Sequence, residues 1–211
     1  MQTRKGQSIE DESMEIIERE IGAHPYTGHE WKIVRRVIHS TADFDFARQN
    51  QIIFHKDAVR AGLDALRTGK NIIVDVNGII GLLNKQNLAD FKNNVFCDIS
   101  NPDVVKEAMR QNKTRAQTAM RIRSSEMDEG VVVVGNAPTA LLEVIQMVKE
   151  KAAKPSLIIG MPVGFVAAAE SKEELQSIDT PFITNKGRKG GTPSASATVN
   201  ALYKIIRESS T

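Results

Sequence analysis

The chain has 211 residues, enough to bury a sizeable core without disulfide or metal staples. Lys and Arg total 28 against 26 for Asp and Glu, a net charge of +2, so the concentrated basic excess of a dedicated nucleic-acid binder is missing. Hydrophobic residues at 41% and charged residues at 26% exclude wholesale disorder, and the single cysteine, Cys97, excludes an internal disulfide framework or a Cys-rich metal centre.

The opening residues, Met1-Gln-Thr-Arg-Lys-Gly-Gln-Ser8, carry no apolar stretch of the secretory kind. No run approaches the roughly 18 apolar residues that a membrane span needs, so a cytoplasmic, membrane-free protein is expected. Residues 1–50 read as a helical segment. Met14, Ile17 and Ile21 with Gly22 as a stop predict a helix over 12–21. Thr27-Gly-His-Glu30 has the spacing of a capping box, and the helix it opens turns Trp31, Val34, Val37 and Ile38 inward and ends near His39 or Ser40.

From residue 70 short apolar runs alternate with helical stretches. The runs at 71–76, 95–99, 131–134, 157–159 and 181–184 read as strands, several buried on both faces of a parallel sheet. Asn101-Pro-Asp103 places a cap, a first-turn proline and an acid ahead of one helix. Thr114-Arg-Ala-Gln117 opens another, closed by Gly130, and 138–151 and 193–207 supply two more. The alternation predicts a single α/β domain over 1–211: a three-layer α/β/α fold with a mostly parallel, five-stranded, doubly wound sheet and an N-terminal helical segment.

Ligands of open α/β sheets bind outside the carboxyl ends of the strands. The segments there are Asn77-Gly78, Ser100-Asn-Pro102, Gly135-Asn-Ala-Pro-Thr139, Gly160-Met-Pro-Val-Gly-Phe165 and Gly187-Arg-Lys-Gly-Gly-Thr192. Their glycines either bring backbone N–H groups to an anionic ligand or simply make strand-to-helix turns. Arg188 and Lys189 either clamp a carboxylate or form a solvated basic turn. Arg36 and His39, three apart, share a helix face; the pair holds a carboxylate and exchanges a proton, or His39 only complements the helix C-terminus. Asp43 and Asp45 are paired acids or turn and cap residues. GxGxxG, GxxxxGK[ST] and GxSxG are absent, which weakens nucleotide-binding and serine-hydrolase readings. His24, His29, His39 and His55 contain no HxH, HxxxH or HExxH pair, so no metal site is expected.

Taken together in order, Arg36-Val-Ile-His39 with Ser-Thr-Ala-Asp-Phe44, Lys113-Thr-Arg115, Gly135-Asn-Ala-Pro-Thr-Ala-Leu141, Gly160-Met-Pro-Val-Gly-Phe-Val166, Glu170-Ser-Lys172, and Gly187-Arg-Lys-Gly-Gly191 with Asn200-Ala-Leu202 resemble the precorrin-8X methylmutase family of cobalamin (vitamin B12) biosynthesis, cobalt-precorrin-8 methylmutases included. The resemblance spans nearly the whole chain. It implies an isomerase that moves a methyl group from C-11 to C-12 of a tetrapyrrole macrocycle, giving hydrogenobyrinate or cobyrinate. It also implies His39 as proton donor and acceptor, with Ser13, Arg36 and Arg115 on the substrate. Asn136, Thr139, Gly164, Ser171, Lys172, Arg188 and Lys189 are further substrate-binding positions within the matching motifs. A homodimer is implied, with no organic cofactor, and any cobalt belongs to the substrate. The Ser-Thr-Ala-Asp-Phe stretch and Lys189 lean toward the cobalt-bearing branch. Ala167 stands where Gly is common, Thr192 where Ser is usual, and loop 75–80 lacks a customary Met. The other classes consistent with the residues are a non-catalytic tetrapyrrole carrier and a nucleotide-binding regulator; a carrier has no use for a proton-transfer group beside Arg36.

Overall fold

The computed structural model describes residues 3–49 and 51–209. Met1, Gln2 and Asn50 of the expected helical segment, and Ser210 and Thr211 of the expected domain, lie outside the described residues. Helices α1 (Arg4–Ile21) and α2 (Gly28–Thr41) lead through a 3₁₀ turn to strand β1 (Ile52–Phe54) and helix α3 (Ala58–Arg67). Then come β2 (Ile72–Val74), α4 (Asn77–Leu82), α5 (Lys85–Asp90), β3 (Val95–Phe96), α6 (Pro102–Arg110) and α7 (Arg115–Ile122). The chain continues with β4 (Val131–Val134), α8 (Pro138–Lys149), β5 (Leu157–Gly160), α9 (Ala168–Leu175), β6 (Phe182–Asn185) and α10 (Thr192–Glu208).

The sheet order is β1-β6-β5-β4-β2-β3, with every pairing parallel except β1 on β6. Alternation of side chains across a strand divides the core in two. Ile72, Val74, Val131, Val133, Leu157, Ile159 and Ile183 face one way, into a core with α2, α3 and α10. Ile73, Val132, Val134, Ile158 and Phe182 face the other way, into a core with α7, α8 and α9. Both faces are therefore covered by helices, which is why these strands read as unbroken apolar runs. Helix α10 is buried along most of its length. Its Ala195, Ala197 and Ala201 are small enough to seat it between the sheet and α2.

The sheet has six strands rather than five. The additional one, β1, lies at an edge and is only three residues long, so Ile52-Ile-Phe54 carries too little periodicity to register as a strand. At the opposite edge, only Val95 and Phe96 of the 95–99 run pair with β2. Helix α1 begins at Arg4, eight residues before the expected start, because Thr3 caps it by accepting from the Gly6 N–H. The helix opened by Thr114 stops at Ile122, short of Gly130, and a 3₁₀ turn at Ser125–Met127 fills the gap. Helices α3, α4, α5 and α9 fall where no helix was predicted.

One backbone contact locks two carboxyl-end loops together. Gly190 has φ +153°, and a Cβ added there would lie 2.4 Å from the Met161 carbonyl oxygen, inside any tolerable contact. Gly81, in α4, has no atom within 4 Å of the same imagined carbon. Gly190→Ala should therefore destabilise the protein by at least about 2 kcal/mol, combining backbone strain with overpacking. Gly81→Ala should stabilise it by about 0.5–1 kcal/mol. Urea unfolding of the two variants measures both signs, and a harmless Gly190→Ala would show that the loops are not locked at this contact.

Candidate active site

The carboxyl ends of β2, β3, β4, β5 and β6 all open onto one edge of the sheet. After β2 the chain moves outward to β3; after β4 it moves the opposite way to β5 and β6. The reversal lies between β2 and β4, where an α/β sheet opens a crevice for ligands. Asp75, the residue directly after β2, is 1% exposed at this point. Its carboxylate accepts from the N–H groups of Gly135 at 3.0 Å, Asn136 at 2.8 Å and Ala137 at 2.7 Å. Burial pushes its carboxyl pKa up, while the three donors oppose that shift by favouring the anion. The β4–α8 loop is thereby fixed across the crevice.

Beside that edge lies a cleft of about 380 Å³ bounded by α2, α4 and α10 and lined by Arg36, His39, Ser40, Leu82, Ser196 and Asn200 among others. The capping box at Thr27, in which Glu30 accepts from the Thr27 N–H at 2.8 Å, starts α2. Trp31, Val34, Val37 and Ile38 bury its other face, which leaves Arg36 and His39 together on the cleft side. Arg36 Nη1 lies 2.9 Å from Glu10 Oε1 of α1, and Lys204 Nζ reaches the same oxygen at 2.8 Å. Burial holds the His39 imidazole below its ordinary pKa, and the neighbouring Arg36 charge lowers it further. At neutral pH the ring is uncharged, able to accept at one nitrogen and donate from the other. Ser13 lies three residues after Glu10 on the same face of α1, its hydroxyl turned back onto the Ile9 carbonyl at 2.7 Å.

The remaining sequence candidates divide into outer and inner groups. Arg115 is exposed at the first position of α7, and the Thr114 and Thr139 hydroxyls meet at 3.0 Å, which brings the starts of α7 and α8 together. Asn136 is exposed between them. The Gly164 N–H donates to the Arg188 carbonyl at 3.2 Å, and the Arg188 guanidinium lies 5.8 Å from the centre of the Phe165 ring. Phe165 is 86% exposed and Val166 84%, an apolar tip at the rim of the edge. Lys189 is held by Asp43 at 2.8 Å and Asp45 at 2.6 Å, so those acids are turn residues that also pair with a cation.

Ser171 and Lys172 are not on the open side. Ser171 is fully buried with its hydroxyl on the Ala168 carbonyl, and Lys172 is 1% exposed beneath the β6–α10 loop. Helix α9 turns both side chains inward to pack on β6, away from the open edge. Sequence reasoning also missed Glu10 and Asp75 and gave Asn200 only as part of a matching motif. Glu10 meets Arg36 only through tertiary packing and has no local signal. Asp75 had one, an acid set directly after a fully apolar run. Asn200 ties the cleft wall, accepting from the Asn84 N–H at 3.0 Å and donating to the Leu82 carbonyl at 2.9 Å. Among the described residues no group of three or more His, Cys, Asp or Glu side chains is placed to hold a metal ion, and no helix is long and apolar enough to cross a membrane.

Comparison with known proteins gives a consistent result. The family model for precorrin-8X methylmutase matches residues 8–205. The chain is 48% identical over 200 residues to the cobalt-precorrin-8 methylmutase of Priestia megaterium, covering 95% of this chain and 88% of that protein. It is 41% identical over 211 residues to the enzyme of the same name from Leptospira interrogans, covering 96% and 95%. The crystal structure of the precorrin-8X methylmutase from Thermus thermophilus superposes with a TM-score of 0.90 at 38% identity, covering 97% of this chain and 98% of that one.

The charge arrangement around the imidazole makes a sign-specific prediction. Arg36 lowers the His39 pKa, so Arg36→Met should raise it, with burial still acting against the charged form. An NMR titration of the imidazole Hε1 resonance in the parent and the variant measures the shift. An unchanged or lowered midpoint would mean that Arg36 does not act on His39.

Proposed function

The chain belongs to the precorrin-8X methylmutase family, and we propose that His39 is its proton-transfer group, with Arg36, Arg115 and Arg188 holding carboxylates of the macrocycle. The protein is an isomerase, a methylmutase of cobalamin biosynthesis. The observation that carries the residue assignment is the pairing of Arg36 and His39 in one cleft beside the carboxyl edge of the sheet. A cleft of about 380 Å³ is at the small end of ligand sites, which run from roughly 300 to 1,000 Å³. A tetrapyrrole with acetate and propionate arms therefore extends from the cleft over the edge loops, where Arg115, Asn136, Thr139, Gly164 and Arg188 lie.

The migration breaks the C-11 to methyl bond and makes the C-12 to methyl bond within one molecule, a 1,5-sigmatropic shift with no net change in electrons. It calls for no nucleophile and no organic cofactor; cobalt, where present, is part of the substrate. What the protein supplies is alignment of the two carbons and a proton at the right atom of the ring. His39 is uncharged before substrate arrives. A substrate carboxylate on Arg36 offsets the charge that depresses the imidazole, so binding lifts the His39 pKa toward the range in which it both gives and takes a proton. The two relatives described above are named for the cobalt-bearing substrate, which supports that branch here. We further propose that the protein works in the cytoplasm as a homodimer. The exposed apolar Phe165 and Val166 support a partnered rim.

His39→Ala should lose about 10²–10⁴ in the rate of conversion of precorrin-8, followed as single-turnover absorbance change, while product binding and the circular dichroism spectrum are kept. Near-normal turnover in the variant would remove His39 from the mechanism. Binding without turnover by the parent protein itself would favour a tetrapyrrole carrier.

Neutralising Arg115 should weaken binding of hydrogenobyrinate by roughly 1.5–3 kcal/mol, the range for a charged hydrogen bond, and neutralising Arg36 by the low end of that range because Glu10 already pairs with it. Lys189→Met should cost less, because Asp43 and Asp45 already occupy that ammonium. Calorimetric titration tests all three, and unchanged affinity for both arginine variants would sink the carboxylate-holding role.

A further inference from the structure

We propose that Lys172 is a positioning residue for the macrocycle: its buried ammonium sets the β6–α10 loop and draws a substrate carboxylate onto that loop's free N–H groups. The inference rests on the loop's role in carboxylate binding given above and adds the residue that makes the loop receptive.

Lys172 Nζ donates to the Lys189 carbonyl at 2.6 Å and lies 3.4 Å from Asn185 Oδ1. Asn185 Nδ2 donates to the Lys186 and Lys189 carbonyls, each at 2.9 Å, so the Lys189 carbonyl is held inward from two sides. The loop backbone takes φ values of +72° at Gly187, +153° at Gly190 and +117° at Gly191, a path that only glycine follows without strain. With that carbonyl turned in, the N–H groups of Gly187, Arg188, Lys189 and Gly190 have no hydrogen-bond partner among the described residues. A row of unpaired N–H groups in such a turn is an anion-binding concavity.

The ammonium beneath them has no matching charge. Among the described residues no carboxylate lies within ion-pair distance of Nζ, and burial alone lowers its pKa to about 8. The charged groups on the elements packed against α9 are otherwise committed. On α8, Lys149 pairs with Glu174 at 2.8 Å, and Glu143 pairs with Arg121 at 2.5 Å. On the loop, Lys189 pairs with Asp43 and Asp45, and Arg188 points to Phe165. Lys186 is exposed at the strand end, and Glu170 and Glu173 are exposed on α9 itself. A buried lone charge is costly to hold, and a ligand carboxylate over the loop would offset it.

The test is calorimetric titration with hydrogenobyrinate from pH 7 to 9.5, using the parent, Lys172→Met and Arg188→Ala. Over this range His39 is already neutral, Lys189 is held charged by its two acids, and burial keeps the Cys97 thiol protonated to higher pH. The parent should lose about tenfold in affinity as pH rises through 8. Lys172→Met should be weakened about tenfold at pH 7 and show no such slope, with KM raised more than kcat is lowered. The loss of the pH slope and the rise in KM over kcat are what a merely structural lysine would not produce, whichever way the melting temperature moves. A flat parent profile overturns the proposal even if Lys172→Met fails to fold. Full affinity in Lys172→Met with a loss in Arg188→Ala overturns Lys172 alone, whereas full affinity in both overturns the loop as a carboxylate site.

Discussion

The buried Asp75 carboxylate is the constraint on which the carboxyl edge depends. It sits where the strand order reverses, and its three N–H partners belong to a loop about sixty residues further along the chain. A neutral amide of the same shape would accept on one side only and turn its own NH2 group toward an N–H donor on the other. Because that loop opens α8, and α8 opens beside α7 through the Thr114 and Thr139 hydroxyls, one carboxylate indirectly sets where Arg115 and Asn136 stand. The edge is thus preorganised by hydrogen bonds internal to the protein, which is what alignment of two ring carbons for an intramolecular shift requires.

Much of this was legible beforehand, and the reasons are local. β4, β5 and the centre of β2 are short valine- and isoleucine-rich runs buried on both faces, and such runs have few alternatives. The capping boxes at Thr27 and Thr114 placed the starts of α2 and α7 correctly. β1 was illegible because it is stabilised by pairing with β6, a partner more than a hundred residues distant, and not by its own pattern. Helix α9 was missed because its Ala-Ala-Glu-Ser-Lys-Glu-Glu-Leu sequence is weakly amphipathic and it starts from Ala167 in a left-handed conformation with no capping side chain. At the site, the three-residue spacing of Arg36 and His39 did predict a shared face. The inward turn of Lys172 could not be read, since a lysine so rarely enters a core without an acid to meet it.

The cations proposed to meet the macrocycle come already occupied to different degrees. Lys189 holds two aspartates and Arg36 faces Glu10, while Arg115 and Arg188 are exposed with no ion pair among the described residues. A ligand carboxylate gains at an occupied cation only the difference between itself and the resident acid. The strongest net attraction therefore falls on the unoccupied ones, and the resident acids keep the empty site from presenting a dense positive patch to every passing anion. An overall charge of only +2 fits that arrangement.

Helix α10 has an implication for the order in which the molecule can be assembled. It supplies the buried centre of one of the two cores, packing on α2, α3, α4 and the sheet, yet it follows every other element of that core in chain order. During synthesis, Ile33, Val37 and the inward faces of β4 and β5 must wait for it. Until residues 192–208 have left the ribosome, α3 covers that side of the sheet without its α10 partner. The other core, built from α7, α8 and α9, has all its parts earlier. The core of α7, α8 and α9 can thus close ahead of the one that needs α10, and the α10 wall of the cleft facing His39 is set only after that first core is complete.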